Sequence, residues 1–191
     1  VDFSKRVIVM TCHRRENYGK PMRDIFSAAR EIAIKYGDVE IVYPMHLSPV
    51  VRASAGDILS GVPNIRLIEP LDAIDMHRLM NRSYMIMTDS GGIQEEAPAL
   101  GKPVLVLRRE TERPEAVAAG TVRLSGVERD DILRDAEQLL NDAESYGRMA
   151  RAVNPYGDGR ACARIADAIL YTAGLRSAPP EVFSPEQTAA V

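Results

Sequence analysis

The sequence predicts an α/β protein, a doubly wound parallel sheet of about six strands with helices on both faces. Three observations carry this. Six short apolar runs, rich in Val, Ile, Leu and Met, recur along the chain. Each is followed by a stretch with apolar residues at helical spacing, or by a helical turn. Gly, Pro or Asn punctuates most of the junctions. Such alternation builds a parallel sheet, because joining two parallel strands needs a crossover, and a helix is the usual one.

The elements follow in order. Residues 6–11 (RVIVMT) form the first strand. Residues 22–36 place Met22, Ile25, Phe26, Ala29, Ile32, Ala33 and Tyr36 at helical spacing, and Gly37 stands where a left-handed terminating glycine belongs. Residues 39–43 (VEIVY) are the second strand, residues 49–59 a helix closed by Gly61, and residues 65–68 (IRLI) the third strand. Residues 74–81 read as a short helix and residues 84–88 (YMIMT) as the fourth strand. Residues 93–100 form a helix ended by Gly101, with Pro98 inside it predicting a kink or break. Residues 104–107 are the fifth strand, residues 114–119 a helical turn with Pro at its favourable first position, and residues 121–124 the sixth strand. Residues 130–140 and 160–173 are closing helices. Beyond Gly174 the chain turns Ala-, Pro- and Ser-rich, so one domain over 1–173 and a flexible tail over 174–191 are expected.

Composition narrows the function classes. Hydrophobic residues make up 46% and charged residues 27% of 191, which excludes a wholly disordered chain. With 24 Lys+Arg against 27 Asp+Glu the net charge is −3, and without a basic tract a nucleic-acid binder is not expected. No apolar run reaches the ~18 residues of a membrane helix. The charged N-terminal stretch lacks a signal-peptide core. Cys12 and Cys162 are too few for a disulfide framework or a cysteine-built zinc site and read as small apolar residues, which fits a reduced cytoplasmic setting. Met80, Met85 and Met87 read as core. The chain begins at Val1 rather than Met, as a piece of a longer protein would.

In open α/β sheets the ligand lies beyond the carboxyl ends of the strands, near the point where strand order reverses. The loops after Thr11, Tyr43, Ile68, Thr88 and Leu107 are therefore the places to search. The strongest signal is TDSGGIQEE at residues 88–96, where a strand gives way to a helix. The N–H groups and dipole at that helix start favour a phosphate. Gly91 and Gly92 let the backbone approach a ligand closely. Ser90 lies at the same junction. Glu96, one turn into the helix, suits two vicinal ribose hydroxyls. The plainer alternative is capping by Asp89 or Ser90, with Glu95 and Glu96 complementing the dipole.

Two other loops crowd charge at strand ends. His13, Arg14, Arg15, Glu16 and Asn17 follow the first strand, combining a proton-exchanging imidazole with phosphate-matching guanidinium groups. A solvated loop with local ion pairs is the alternative. RRETERPE at residues 108–115 could supply a second basic clamp with Arg113 in the cleft, or be a solvated face of mixed sign. His46 follows the second strand, and His77 reads as surface or packing. No cluster has metal-ligand spacing, and neither a Walker loop nor a nucleophile elbow occurs.

Five segments in this order, TCHRRENYG (11–19), IVYPMHLSP (41–49), DSGGIQEEAPALGKPVLVLR (89–108), TERPEAV (111–117) and NPYGDGRA (154–161), resemble the non-hydrolysing UDP-N-acetylglucosamine 2-epimerase family, specifically its C-terminal half. The resemblance implies a Rossmann-like domain, the C-terminal one of a two-domain glycosyltransferase-B fold, with the active site between the halves. It implies interconversion of UDP-GlcNAc and UDP-ManNAc by elimination of UDP across C1–C2 and re-addition, without nicotinamide or another cofactor and without a metal. It also implies a role in surface polysaccharide precursors and a homodimeric full-length enzyme. His13 matches the histidine that helps UDP depart. Ser90, Gly91 and Gly92 match the phosphate loop, Glu96 the ribose carboxylate, and Arg113 the arginine beside UDP and the sugar. Arg14 and His46 match residues around a second, allosteric UDP-GlcNAc site. Leu71 and Met76 stand where relatives place a polar residue and an aromatic near uracil. The carboxylates for proton transfer at C2 belong to the family's other half, so this chain is expected to bind UDP but not to turn over alone. A UDP-sugar glycosyltransferase domain and a non-catalytic UDP-sugar-binding module remain the alternatives.

Overall fold

The computed structural model describes residues 1–184. Six strands alternate with helices: β1 (Arg6–Thr11), α1 (Lys20–Lys35), β2 (Val39–Pro44), α2 (Pro49–Leu59), β3 (Ile65–Ile68), α3 (Ala73–Arg82), β4 (Met85–Thr88), α4 (Gly91–Ala99), β5 (Val104–Val106), α5 (Pro114–Ala119), β6 (Val122–Leu124), α6 (Arg129–Asn141), α7 (Ala143–Ala150) and α8 (Ala161–Thr172). A single 3-10 turn, Arg15–Asn17, separates β1 from α1.

All strand pairs are parallel, in the order β3-β2-β1-β4-β5-β6. This is the doubly wound arrangement expected, and its order reverses between β1 and β4. The central strand explains the pattern of its sequence. Val7, Ile8, Val9 and Met10 are all buried, because a strand covered on both faces reads as a continuous apolar run. On one face Ile8, Met10 and Cys12 join Ile41, Tyr43, Met85 and Met87 in a core completed by Met22, Ile25 and Phe26 of α1 and Ile132 and Leu139 of α6. Helix α1 packs against both α2 and α6. The alternate residues Val7, Val9, Ile86 and Val106 are equally buried, as the two-residue period of a strand requires.

Register brings the two strands at the reversal to the same level. Thr11 pairs with Thr88, and their hydroxyls meet at 2.6 Å. The loops that leave these two threonines therefore start side by side.

Several expectations are corrected. Gly37 does not adopt the left-handed region, and α1 closes at Tyr36, whose N–H donates to the Ile32 carbonyl. Pro98 does not break α4, which runs on to Ala99 before Gly101 (φ 64°) turns the chain. Tyr84, Leu107 and Thr121 fall just outside their strands, and helix α7 was unforeseen. Asp142 makes α7 possible. It ends α6, and its carboxylate caps α7 by accepting from the N–H groups of Glu144 (2.9 Å) and Ser145 (3.2 Å). Cys12 is buried as expected, whereas Cys162 is exposed on α8.

The chain divides into two compact units, Val1–Ala152 and Val153–Val191. The division falls ahead of α8, whereas the sequence places its boundary after residue 173. Residues 185–191 of the expected tail lie outside the described residues. Within the second unit, Asp158 fixes the start of α8. Its carboxylate accepts from the Arg160 N–H at 3.0 Å and meets the Arg164 guanidinium in a double contact of 2.6 and 2.7 Å.

Candidate functional site

The site is built where β1 and β4 end. Asp89, the first residue beyond β4, is fully buried. Its Oδ2 accepts three hydrogen bonds, from the backbone N–H groups of His13 (2.8 Å) and Arg14 (2.7 Å) and from Asn17 Nδ2 (3.1 Å). Its own N–H donates to the Thr11 carbonyl at 3.2 Å. Asp89 thus staples the loop after β1 to the end of β4 and is not spent on capping α4, as the alternative reading had it. A carboxylate can be buried in this way because several donors compensate its lost hydration.

Ser90 occupies the N-cap position of α4, but its side chain makes no capping hydrogen bond. The helix start therefore keeps its electropositive character. Three polar groups surround its glycines. A Cβ at Gly91 would lie 3.5 Å from Arg14 Nη2, and a Cβ at Gly92 would lie 3.6 Å from Glu96 Oε1 and 4.0 Å from Ser90 Oγ. Residues 11 and 88 being in register is what brings Arg14 to the start of α4. Glu96 Oε2 also lies 2.9 Å from Nε2 of His77 on α3, which is exposed as expected and borders this cluster.

The loop after β5 is tied to the same helix. Gln94, buried in α4, accepts from Thr111 Oγ1 at 2.7 Å and donates to the Ser90 carbonyl at 3.2 Å. Arg113 bonds to Glu95 through Nε and to the Glu112 carbonyl through Nη1 at 3.0 Å. Buried Arg108 joins this loop to the first, donating to Glu16 at 2.8 Å and to Glu112 at 3.3 Å. A cavity of about 240 Å³ lined by Glu16, Asn17, Arg108, Arg109, Glu110 and Val127 opens between them.

On the other side, the exposed His46 ring stacks on His13 at 5.3 Å between centroids and 12° between planes. His46 Nδ1 accepts from the Ser48 N–H at 3.1 Å. Beneath lie two neutral groups. Burial, then the Asp89 charge, pushes the Cys12 thiol well up, and burial likewise raises the Tyr43 phenol, which donates to the Cys12 carbonyl at 2.6 Å. Cys12 is therefore no thiolate nucleophile.

The structure thus gathers His13, Arg14, Ser90, Gly91, Gly92 and Glu96 around one helix start, with His46 stacked on His13 and Arg113 anchored to the next turn of α4. Leu71 and Met76 are half-buried just before and within α3. Asp89, Gln94, Thr111 and His77 join this cluster and were not singled out for it, whereas Asn17 was named as part of the loop after β1. Among the described residues no group of His, Cys, Asp or Glu is arranged to hold a metal ion, and no helix is long and apolar enough to cross a membrane.

Comparison with known proteins gives this arrangement a context. A Bacillus subtilis UDP-N-acetylglucosamine 2-epimerase is 50% identical over 179 residues, covering 94% of this chain and 47% of that protein. The S. aureus MnaA structure solved with UDP superimposes with a TM-score of 0.91 at 50% identity, over 95% of this chain and 50% of that one. The Neisseria meningitidis UDP-GlcNAc 2-epimerase bound to UDP-GlcNAc gives 0.85 at 48% identity, over 90% and 46%. The chain spans about half the length of the curated relatives it matches. Its sheet is that of a glycosyltransferase-B C-terminal domain. The family model described as UDP-N-acetylglucosamine 2-epimerase matches residues 2–170, the whole sheet and all of the candidate site, and the chain belongs to that family.

Proposed function

We propose that this chain is the UDP-binding half of an enzyme that interconverts UDP-GlcNAc and UDP-ManNAc. One observation carries the reading: the uncapped start of α4 at Ser90, Gly91 and Gly92, with the Arg14 guanidinium and the Glu96 carboxylate on either side of it. Amide N–H groups and a guanidinium suit a diphosphate, and a carboxylate one turn along suits ribose hydroxyls. The solved relative that holds UDP supports it.

The chemistry follows from those roles. A base removes the C2 proton, the C1–O bond breaks with its electron pair leaving on UDP, and a 2-acetamidoglucal remains. Re-addition of UDP at C1 with protonation on the opposite face of C2 inverts that centre. In this chain the helix start and Arg14 hold the diphosphate as charge develops on it. His13 donates to the departing phosphate when its Nε2 carries a proton, and Arg113 lies beside UDP and the sugar. Arg14 and His46 also border the proposed second UDP-GlcNAc site. The reading carries with it the homodimer that the resemblance implies and the cytoplasmic setting that the two cysteines suggest.

A product assay on the full-length enzyme containing this chain tests the proposal. UDP-ManNAc formed from UDP-GlcNAc is the expected product. Sugar transferred to an acceptor, or free ManNAc released with UDP, would contradict it.

A further inference from the structure

We propose that the buried Asp89 carboxylate is a positioning residue that fixes His13 in its Nδ1–H tautomer and leaves Nε2 as the nitrogen that exchanges a proton. The role of Nε2 toward a ligand rests on the reading above, while the tautomer itself does not.

The geometry around Asp89 is asymmetric. Oδ2 is saturated by its three N–H donors. Oδ1 is just as buried and has no hydrogen bond among the described residues. It lies 3.4 Å from His13 Nδ1. An unprotonated Nδ1 would set its lone pair against a carboxylate oxygen buried from solvent. A protonated Nδ1 supplies the missing donor after a small ring rotation. Leaving a buried acceptor unmade is costly, so the Nδ1–H form is the one that satisfies the site.

The surroundings offer no better partner. Asn17 already donates to Oδ2. The Cys12 thiol borders both Asp89 and Asn17, but burial holds it as S–H, a weak donor without charge. Tyr43 gives its proton to the Cys12 carbonyl. The ring is also held from two directions. The backbone N–H of His13 is bound to the same carboxylate, and His46 stacks nearly parallel on its face. Backbone, ring plane and ring edge are thus fixed together, the kind of support that holds a reacting group in register.

Two-bond proton–nitrogen correlation spectra of the 191-residue chain, labelled with ¹⁵N-histidine and recorded without ligand at alkaline pH where imidazoles are neutral, read the tautomer directly. His13 is assigned by the signal lost in His13→Gln. The expected wild-type pattern is Nδ1–H, opposite to the Nε2–H form that free histidine favours. In Asp89→Asn, the three N–H donors demand the amide oxygen, which turns the amide NH₂ toward Nδ1. The ring should then switch to Nε2–H. A wild-type ring in the Nε2–H form overturns the proposal, as does an Asp89→Asn ring that stays Nδ1–H. Should Asp89→Asn fail to fold, the wild-type spectrum decides alone. No ligand enters the measurement, so a failure of UDP binding would count against the UDP reading and leave the tautomer result standing.

Discussion

His77 Nε2 on α3 lies 2.9 Å from Glu96 Oε2 on α4, with both side chains about half exposed. The carboxylate proposed for the ribose hydroxyls is therefore held by a neighbour in the free protein, with Oε1 near Gly92. His77→Ala removes the orienting partner but keeps both acceptor oxygens. It is expected to weaken UDP binding by about 0.2–1 kcal/mol, the range of an exposed pair. Calorimetry checks this, and a loss matching that of Glu96→Ala would show that His77 touches the ligand itself.

Gly91 and Gly92 can accept a methyl group without strain in the free protein. Neither has positive φ, and a Cβ at either would make only ordinary contacts of 3.5 Å or more. Gly91→Ala and Gly92→Ala are expected to leave the melting temperature unchanged or slightly raised, because Ala is the better helix former. UDP affinity should nevertheless fall about tenfold, or ~1.4 kcal/mol, if phosphate approaches this backbone. Unchanged affinity in both variants would move the phosphate elsewhere.

The structure also shows where local sequence stops being informative. The bounds of β1, α2, β3 and α5 were legible residue for residue, since each is a periodic run closed by Gly, Pro or a polar residue. The loops after Thr11 and Thr88 were legible as places to search because strand-end position follows from the fold class. Asp89 was not. Its sequence context suits a cap, and only the β1–β4 register reveals that its donors lie 72 to 76 residues away. The partnerships of Gln94 with Thr111 and of Glu96 with His77 are hidden for the same reason. Helix α7 escaped notice because it is short, carries Gly147 in its interior and shares Asp142 with the helix before it.

Tyr43→Phe deletes one buried donor. Its hydroxyl bonds the Cys12 carbonyl at 2.6 Å beneath the His13 loop. The orphaned carbonyl should cost about 1–3 kcal/mol of stability. Denaturant unfolding should show a lower midpoint with an unchanged slope. An unchanged midpoint would mean that the carbonyl finds another donor.

Asp158 links the second unit to pH. Hydrogen bonds from the Arg164 guanidinium, then from the Arg160 N–H, hold its carboxyl well below the ordinary 3.8. A depressed folded value means that the carboxylate stabilises the fold above 3.8 and that this contribution is lost as pH falls from there toward the depressed value. Protection of α8 amides from hydrogen exchange, taken relative to the intrinsic rate at each pH, should therefore fall in acid below about pH 4 in the wild type, and Asp158→Asn should lack that dependence. Identical acid profiles would contradict the assignment.

The proposed function requires that residues 90–92 and Glu96 form a UDP site within this chain. Calorimetric titration of UDP into the wild type and Glu96→Ala tests it most directly. Saturable binding, weakened in the variant by about 1–3 kcal/mol, is the predicted result. No binding by a well-folded wild type, or equal binding by Glu96→Ala, would contradict it.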